Sequence, residues 1–295
     1  MPFIYSDRYL KEFGDHIFPV EKYQLIKKKL LEHGIDESEF IEPVEATREQ
    51  LQLVHTEAYL DDLSNLRMTQ RTIFSELPLT APVINLFYLA AGGTLQGIEI
   101  SEKNGWVVHI GGGFHHAKEA KAEGFCYVND LAVAARTYAA KHRKNRVLII
   151  DLDLHQGNGT AKICQPDTQI YTFSMHEEDN YPVKEMSDMD ISLYSGVTDE
   201  IYLQKLDDAL ITIMQNFTPH LILYQAGADP YYKDQLGNLA LTKDGLKKRD
   251  ETVLRLAKQK NIPIVTTLGG GYAIDTNDTV DIHTATCLAH MDIFS

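Results

Sequence analysis

Two stretches of the chain carry side chains that could share an ion. Asp153 and His155 stand two apart at the end of an apolar run, so extended backbone would turn both to one face. Asp229 follows a second such run, 221–225. An Asp/His/Asp set leaves a coordination position open, which catalytic zinc uses to take up a water and a carbonyl oxygen together. Because the set is rich in oxygen, iron(II) and manganese fit it as well. An acidic residue at a strand–helix junction, taken alone, more often caps the helix. The tandem His115-His116, after the glycines at 111–113, shifts the balance towards a metal site. Two imidazoles near a metal suit proton transfer, one taking a proton from water and one protonating a leaving amine. Each needs a partner for its second ring nitrogen, and Asp151 and Asn158 are the candidates. Tyr272, after the glycines at 269–271, could donate its hydroxyl to a developing oxyanion. Phe125 and Tyr181 could wall a tunnel around an alkyl stem, although either alone would read as core.

The elements that must position these residues are legible from hydrophobic patterning. Nearly continuous apolar runs at 106–110, 146–150, 170–174, 221–225 and 263–268 read as strands buried on both faces. Helical periodicity at 129–144, 199–217 and 242–260 alternates with them, and Asn129, Asp199 and Thr242 are the expected N-terminal caps or starts. This alternation predicts an α/β fold, one doubly wound and mostly parallel sheet flanked by helices. Further helices are expected at 20–33, 47–67 and 81–100, packed against the sheet, with residues 1–295 forming a single catalytic domain. In open α/β sheets ligands bind beyond the carboxyl ends of the strands. All five runs lead there into polar or glycine-rich sequence, so the candidate residues converge on one rim.

Bulk properties narrow the function classes. A net charge of −14 disfavours direct binding to nucleic-acid phosphates and could attract cationic substrates such as lysine-rich peptides or polyamines. No unbroken run of eighteen apolar residues occurs, so no membrane span is expected. The first residues lack the pattern of a secretory signal. Cys126, Cys164 and Cys287 have no paired spacing, so a reducing, cytoplasmic setting is expected. Cys126 lacks the flanking features of an activated thiolate. His33, His55, His142, His220, His283 and His290 stand outside any motif and are expected at the surface or as satisfied core.

The motifs HIGGGFHHA (109–117), GFCYVND (124–130), DLDLHQGNG (151–159), AGAD (226–229) and LGGGY (268–272) together resemble the zinc-dependent histone deacetylase family. Its superfamily includes acetylpolyamine amidohydrolases and acetoin-utilisation proteins, on the arginase–deacetylase fold. Weaker similarity at 17–19 and 55–60 carries the resemblance into the N-terminal third. The resemblance implies removal of acyl groups, acetyl or longer, from the ε-amine of acyl-lysine in proteins or peptides. Acylated polyamines or small acylated amines are the alternative substrates, and a non-catalytic acyl-lysine binder is the less favoured reading. It implies Zn2+, or alternatively Fe2+, on Asp153, His155 and Asp229. His115 would pair with Asp151, His116 would be the principal base and acid beside Asn158, and Tyr272 would polarise the carbonyl. Gly124, Phe125, Tyr181 and Gly270 would line the substrate tunnel. A structural K+ is implied at Asp151, Asp153, His155, Ser174 and Met175, partly through backbone carbonyls.

Two departures stand out. Asn158 occupies the place of a second aspartate in animal class I enzymes, and with the HQGNG spelling and short chain it resembles the class IV branch and its bacterial relatives. In that branch long acyl chains can be preferred, which leaves acyl length open. Residues 77–81 supply no acidic side chain where class I enzymes use a rim aspartate. Dinuclear manganese ureohydrolases share the fold but need a carboxylate two residues after the Asp229 position, where this chain has Tyr231.

Overall fold

Strands that are apolar on both faces need a helical layer on each side. The computed structural model describes residues 2–295 and supplies those layers. In chain order the elements are β1 (Phe3–Ile4), α1 (Lys22–Glu32), β2 (Phe40–Ile41), α2 (Arg48–Leu51), α3 (Glu57–Ser64) and α4 (Ala81–Asn104). There follow β3 (Trp106–His109), α5 (Asp130–Lys141), β4 (Val147–Asp151), α6 (Asn158–Cys164), β5 (Ile170–Glu177) and β6 (Met189–Leu193). The chain closes with α7 (Asp199–Asn216), β7 (Leu221–Gln225), α8 (Lys243–Lys260), β8 (Ile264–Thr267) and α9 (Thr276–Phe294). Among the described residues the strands form one sheet, in the order β2-β1-β3-β8-β7-β4-β5-β6. Every neighbouring pair is parallel.

The register brings the strand ends to one level. Asp151 lies opposite Ser174 on one side and Gln225 on the other, Gln225 lies opposite Thr267, and Thr267 opposite His109. β4, β7 and β8 are buried along their whole length. The five expected strands are therefore present, and three more join them. β1 and β2 are two residues each, too short to carry a pattern, and β6 alternates partly buried Met189 and Ile191 with exposed Asp190 and Ser192 at the sheet edge.

Several helix expectations are corrected. The 47–67 segment is two helices, because the turn at His55 and Thr56 is tied elsewhere: Thr56 N–H donates to the Glu119 carbonyl at 2.9 Å. Thr198, not Asp199, stands at the cap position of α7. The Asp199 carboxylate instead accepts from the N–H and hydroxyl of Thr242, at 2.9 and 2.6 Å, and so ties the starts of α7 and α8 together. By length and composition α4 could cross a membrane, because its interruptions are small residues such as Gly92, Gly93 and Gly97. It is mostly buried inside the fold, against α5, β3 and β8.

Candidate active site

The turn after β4 carries Asp153 and His155, and the turn after β7 carries Asp229. Their ligand atoms all lie within 4.8 Å of one another, and all three residues are buried. His155 Nδ1 is 3.3 Å from Asp153 Oδ1 and 3.3 Å from Asp229 Oδ2. Asp229 Oδ1 accepts the Leu154 N–H at 2.9 Å, whereas its buried Oδ2 makes no hydrogen bond among the described residues. Burial and the neighbouring Asp153 both raise the Asp229 pKa. Burial would lower the His155 pKa, but Asp153 and Asp229 outweigh it and lift it to about 10. Two buried carboxylates around one imidazole thus call for a cation, and an open carboxylate oxygen faces the space between them. The donor set fits a divalent ion that accepts oxygen and nitrogen.

A guanidinium clips the two ligand turns together. Arg249 on α8 is fully buried, and its Nη1 donates to the carbonyls of Leu152 and Gly227, at 3.1 and 2.6 Å. Asp250 balances its charge at 2.8 Å and also accepts from the hydroxyls of Tyr224 and Thr286. The pair was not among the residues expected from sequence. Its signal was two charged residues on the buried stripe of α8.

The histidine pair is held by the motif at 124–130. Asp130 accepts the N–H groups of Gly113 and Phe114, at 3.0 and 2.7 Å, and the Thr94 hydroxyl at 2.6 Å. Asn129 caps α5 and donates to the carbonyls of His115 and Ala117. His115 Nδ1 meets Asp151 Oδ2 at 2.7 Å, and His116 Nδ1 meets Asn158 Oδ1 at 2.9 Å. The Asn158 amide nitrogen donates to Glu123 at 2.8 Å, which turns its oxygen towards His116. His116 Nδ1 therefore carries the proton, and Nε2 has the free lone pair. Burial would lower the His115 pKa, but Asp151 and Asp153 outweigh it and raise it to about 9. Burial and the charges of His115 and His155 hold His116 well below the ordinary histidine value. Adjacent rings with centroids 4.1 Å apart thus have opposite protonation preferences, the pattern expected of an acid–base pair.

Beside them lies a cavity of about 270 Å³. Phe125 and Tyr181 both line it. The Phe125 ring meets Tyr272 edge-on at 5.9 Å, and the Tyr181 ring lies 5.3 Å from His116. Gly124 has φ +51°, and a Cβ there would come within 2.6 Å of the His116 ring. Gly270 has φ +54°, and a Cβ there would sit 2.5 Å from Asp153 Oδ2 and 2.6 Å from Asp229 Oδ2. Glycine thus lets the backbone close on the site at both positions. Burial, with Asp229 and Asp153 nearby, pushes the Tyr272 phenol well above its ordinary pKa, so it stays a hydrogen-bond donor. Of the five residues expected around a monovalent ion, Ser174 lies beside Asp151 across the β4–β5 pair, with Met175 next along.

Two expectations need revision. Residues 77–81 carry no acid, but Glu76, one position earlier, lines the cavity with φ +65°. The rim therefore has a carboxylate. Most of the histidines outside motifs are as expected: His55 bonds the Lys118 carbonyl and the Asn129 N–H, each at 3.1 Å, and His290 bonds the Thr266 hydroxyl at 2.9 Å. His283 departs from the expectation, since it is fully buried and neither ring nitrogen has a hydrogen-bond partner among the described residues.

Comparison with known proteins gives a consistent picture. The family model described as "Histone deacetylase domain" matches residues 16–287. An uncharacterized protein of Picosynechococcus is 37% identical over 299 residues, covering 99% of each chain. Histone deacetylase 2 of Arabidopsis thaliana is 35% identical, with 91% of this chain and 74% of that one covered. A probable deacetylase of Archaeoglobus fulgidus is 29% identical over 92% of this chain and 81% of its own. Among solved structures, a histone deacetylase homolog from Aquifex aeolicus superposes with a TM-score of 0.84 at 26% identity, covering 98% of this chain and 84% of that one. A complex of such a homolog with SAHA superposes equally well, with a TM-score of 0.84.

Proposed function

The chain belongs to the histone deacetylase family, and from that premise we propose that it is a zinc-dependent hydrolase of acyl-lysine side chains. The observation that carries this reading is the adjacent pair of His115 on Asp151 and His116 on Asn158, beside a buried Asp/His/Asp cluster at an aromatic-walled cavity. A divalent ion on Asp153, His155 and Asp229 would polarise the acyl carbonyl and acidify a water in the same pocket. A K+ at Asp151, Asp153, His155, Ser174 and Met175 would steady the turn that carries two of those ligands.

The protein's own groups supply the rest. His116 Nε2 takes the proton of the attacking water. His115, kept cationic by Asp151, adds positive charge next to the developing oxyanion. The Tyr272 phenol donates a hydrogen bond to that oxyanion, a contribution of about 3 kcal/mol for a well-placed donor. The proton held by His116 then passes to the departing amine. Phe125 and Tyr181 grip the alkyl stem, and Glu76 at the rim offers a carboxylate to the N–H groups of a peptide backbone.

The test is a panel of acyl-lysine peptides of graded chain length assayed beside acetylated polyamines, with the zinc-loaded protein. Peptide turnover is expected, with His116→Ala and Tyr272→Phe each lowering kcat by about a hundredfold. Full rate in both variants would overturn the assignment of roles. Turnover of polyamines alone would overturn the substrate class.

A further inference from the structure

Tyr272 follows three glycines, and two of them, Gly270 and Gly271, have φ of +54° and +88°. Glycine has more backbone freedom to lose on ordering than any other residue, so this approach does little by itself to hold the phenol. Phe18 and Phe125 pack on the ring and Lys22 donates to the Gly270 carbonyl, but both backbone groups of Tyr272 are held by one short loop elsewhere in the chain. Tyr272 N–H donates to Asp234 Oδ2 at 2.6 Å. The Tyr272 carbonyl accepts twice from Gln235, from its backbone N–H at 3.2 Å and its side-chain Nε2 at 2.9 Å. Asp234 Oδ1 accepts the Leu236 N–H at 2.9 Å, which fixes the carboxylate, and Ile274 N–H donates to the Lys233 carbonyl at 3.1 Å.

The same loop starts at Asp229 and folds back by turns, with Tyr231 N–H on the Ala228 carbonyl and Asp234 N–H on the Tyr231 carbonyl. One segment therefore carries a ligand of the Asp/His/Asp cluster at its beginning and grips both backbone groups of Tyr272 near its end. Asp234 is only 8% exposed, and neither it nor Gln235 lines the cavity. We propose that Asp234 and Gln235 are positioning residues, which set the Tyr272 hydroxyl at a fixed distance from Asp229. The carbonyl then meets its two polarising partners in one geometry. This inference rests on the reading of Tyr272 as the oxyanion donor.

The test compares Asp234→Ala and Gln235→Ala in two backgrounds, wild type and Tyr272→Phe, each with zinc content measured. The readouts are kcat and KM on an acetyl-lysine peptide, and the affinity of the zinc-loaded protein for a small hydroxamate. In the wild-type background Asp234→Ala should lower kcat about tenfold with KM within about twofold, since a small misplacement of a reacting group is costly. Gln235→Ala should lower kcat about threefold, because its backbone N–H still holds the Tyr272 carbonyl. Hydroxamate affinity should weaken in parallel. In the Tyr272→Phe background both changes should alter kcat less than about twofold, since no hydroxyl remains to be positioned.

Equal fold losses in the two backgrounds would overturn the proposal, as would full kcat in both single variants. If Asp234→Ala fails to fold, Asp234→Asn, which keeps one acceptor, and Gln235→Ala decide by the same comparison. A Tyr272→Phe variant at full rate removes the reading of Tyr272 and the positioning role together. A slow Tyr272→Phe with fully active loop variants removes the positioning role alone.

Discussion

Replacing Asn158 by aspartate changes two contacts at once, in opposite directions. Asn158 Oδ1 now faces His116 Nδ1 at 2.9 Å, and its amide nitrogen donates to Glu123 Oε1 at 2.8 Å. Aspartate keeps the first contact and turns the second into a meeting of two carboxylates. The Glu123 side chain is only 12% exposed, with Lys121 at 3.2 Å and Lys118 at 3.7 Å. Two like charges about 4 Å apart repel by about 4 kcal/mol at an effective dielectric near 20. The two lysines offset part of this, so a net loss of roughly 2 kcal/mol in stability is expected. Meanwhile the new anion favours the His116 imidazolium. In the native protein burial and the charges of His115 and His155 hold this ring well below its ordinary pKa. Raising it depletes the neutral base on the acid side, so the acid limb of kcat/KM against pH moves towards neutrality. Adding Glu123→Gln restores a donor opposite the new carboxylate. It should recover the lost stability and leave the acid limb shifted. Urea denaturation and kcat/KM profiles between about pH 5 and 9 measure both effects. The reasoning fails if Asn158→Asp is as stable as the native protein and Glu123→Gln adds nothing to it, or if the acid limb does not move.

Three further outcomes are expected. Arg249→Met should leave Asp250 buried and uncompensated, lowering stability by about 3–5 kcal/mol and weakening zinc retention against a chelator; an unchanged denaturation midpoint would count against the clip. Burial lowers His55 to about 4, and His109 and His290 to about 3, from an ordinary 6.5. The unfolded chain takes up these protons first, so their contribution is complete above about pH 6.5 and declines as pH falls towards the folded values, approaching about 1.4 kcal/mol per pH unit for each ring; a flat stability profile from pH 6.5 to 5 would refute it. Glu76→Gln should lower kcat/KM for acetyl-lysine within a peptide by about tenfold and leave a minimal acetyl-lysine amide within about twofold, and equal effects on both would remove the rim role.

The strands and the site motifs were legible because each depends on local pattern. Doubly buried strands read as apolar runs, and the chemistry at 115–116, 151–158, 229 and 272 sits directly at their ends. What escaped depends on contacts between distant segments. Arg249 reaches the carbonyl of Leu152 across the fold, and Gln235 reaches that of Tyr272, so neither contact leaves a mark in its own sequence neighbourhood. The helix α9 carries threonines and histidines on buried positions, which blurs the apolar stripe that would have announced it. Glu76 lay one residue outside the segment considered for the rim, at the left-handed end of a short helical turn that composition does not mark.

The strand order has a consequence for biogenesis. β8 is the last strand made and sits in the interior of the sheet, between β3 and β7. Before it emerges from the ribosome, those two strands are bare edges of separate half-sheets. The small face of α4 at Gly97, against which Val265 packs, is also uncovered. Tyr272 lies just beyond β8, so closure of the sheet and delivery of the phenol are one late event. A chain halted upstream would leave those edges open to pairing with other copies, and chaperone demand should peak there.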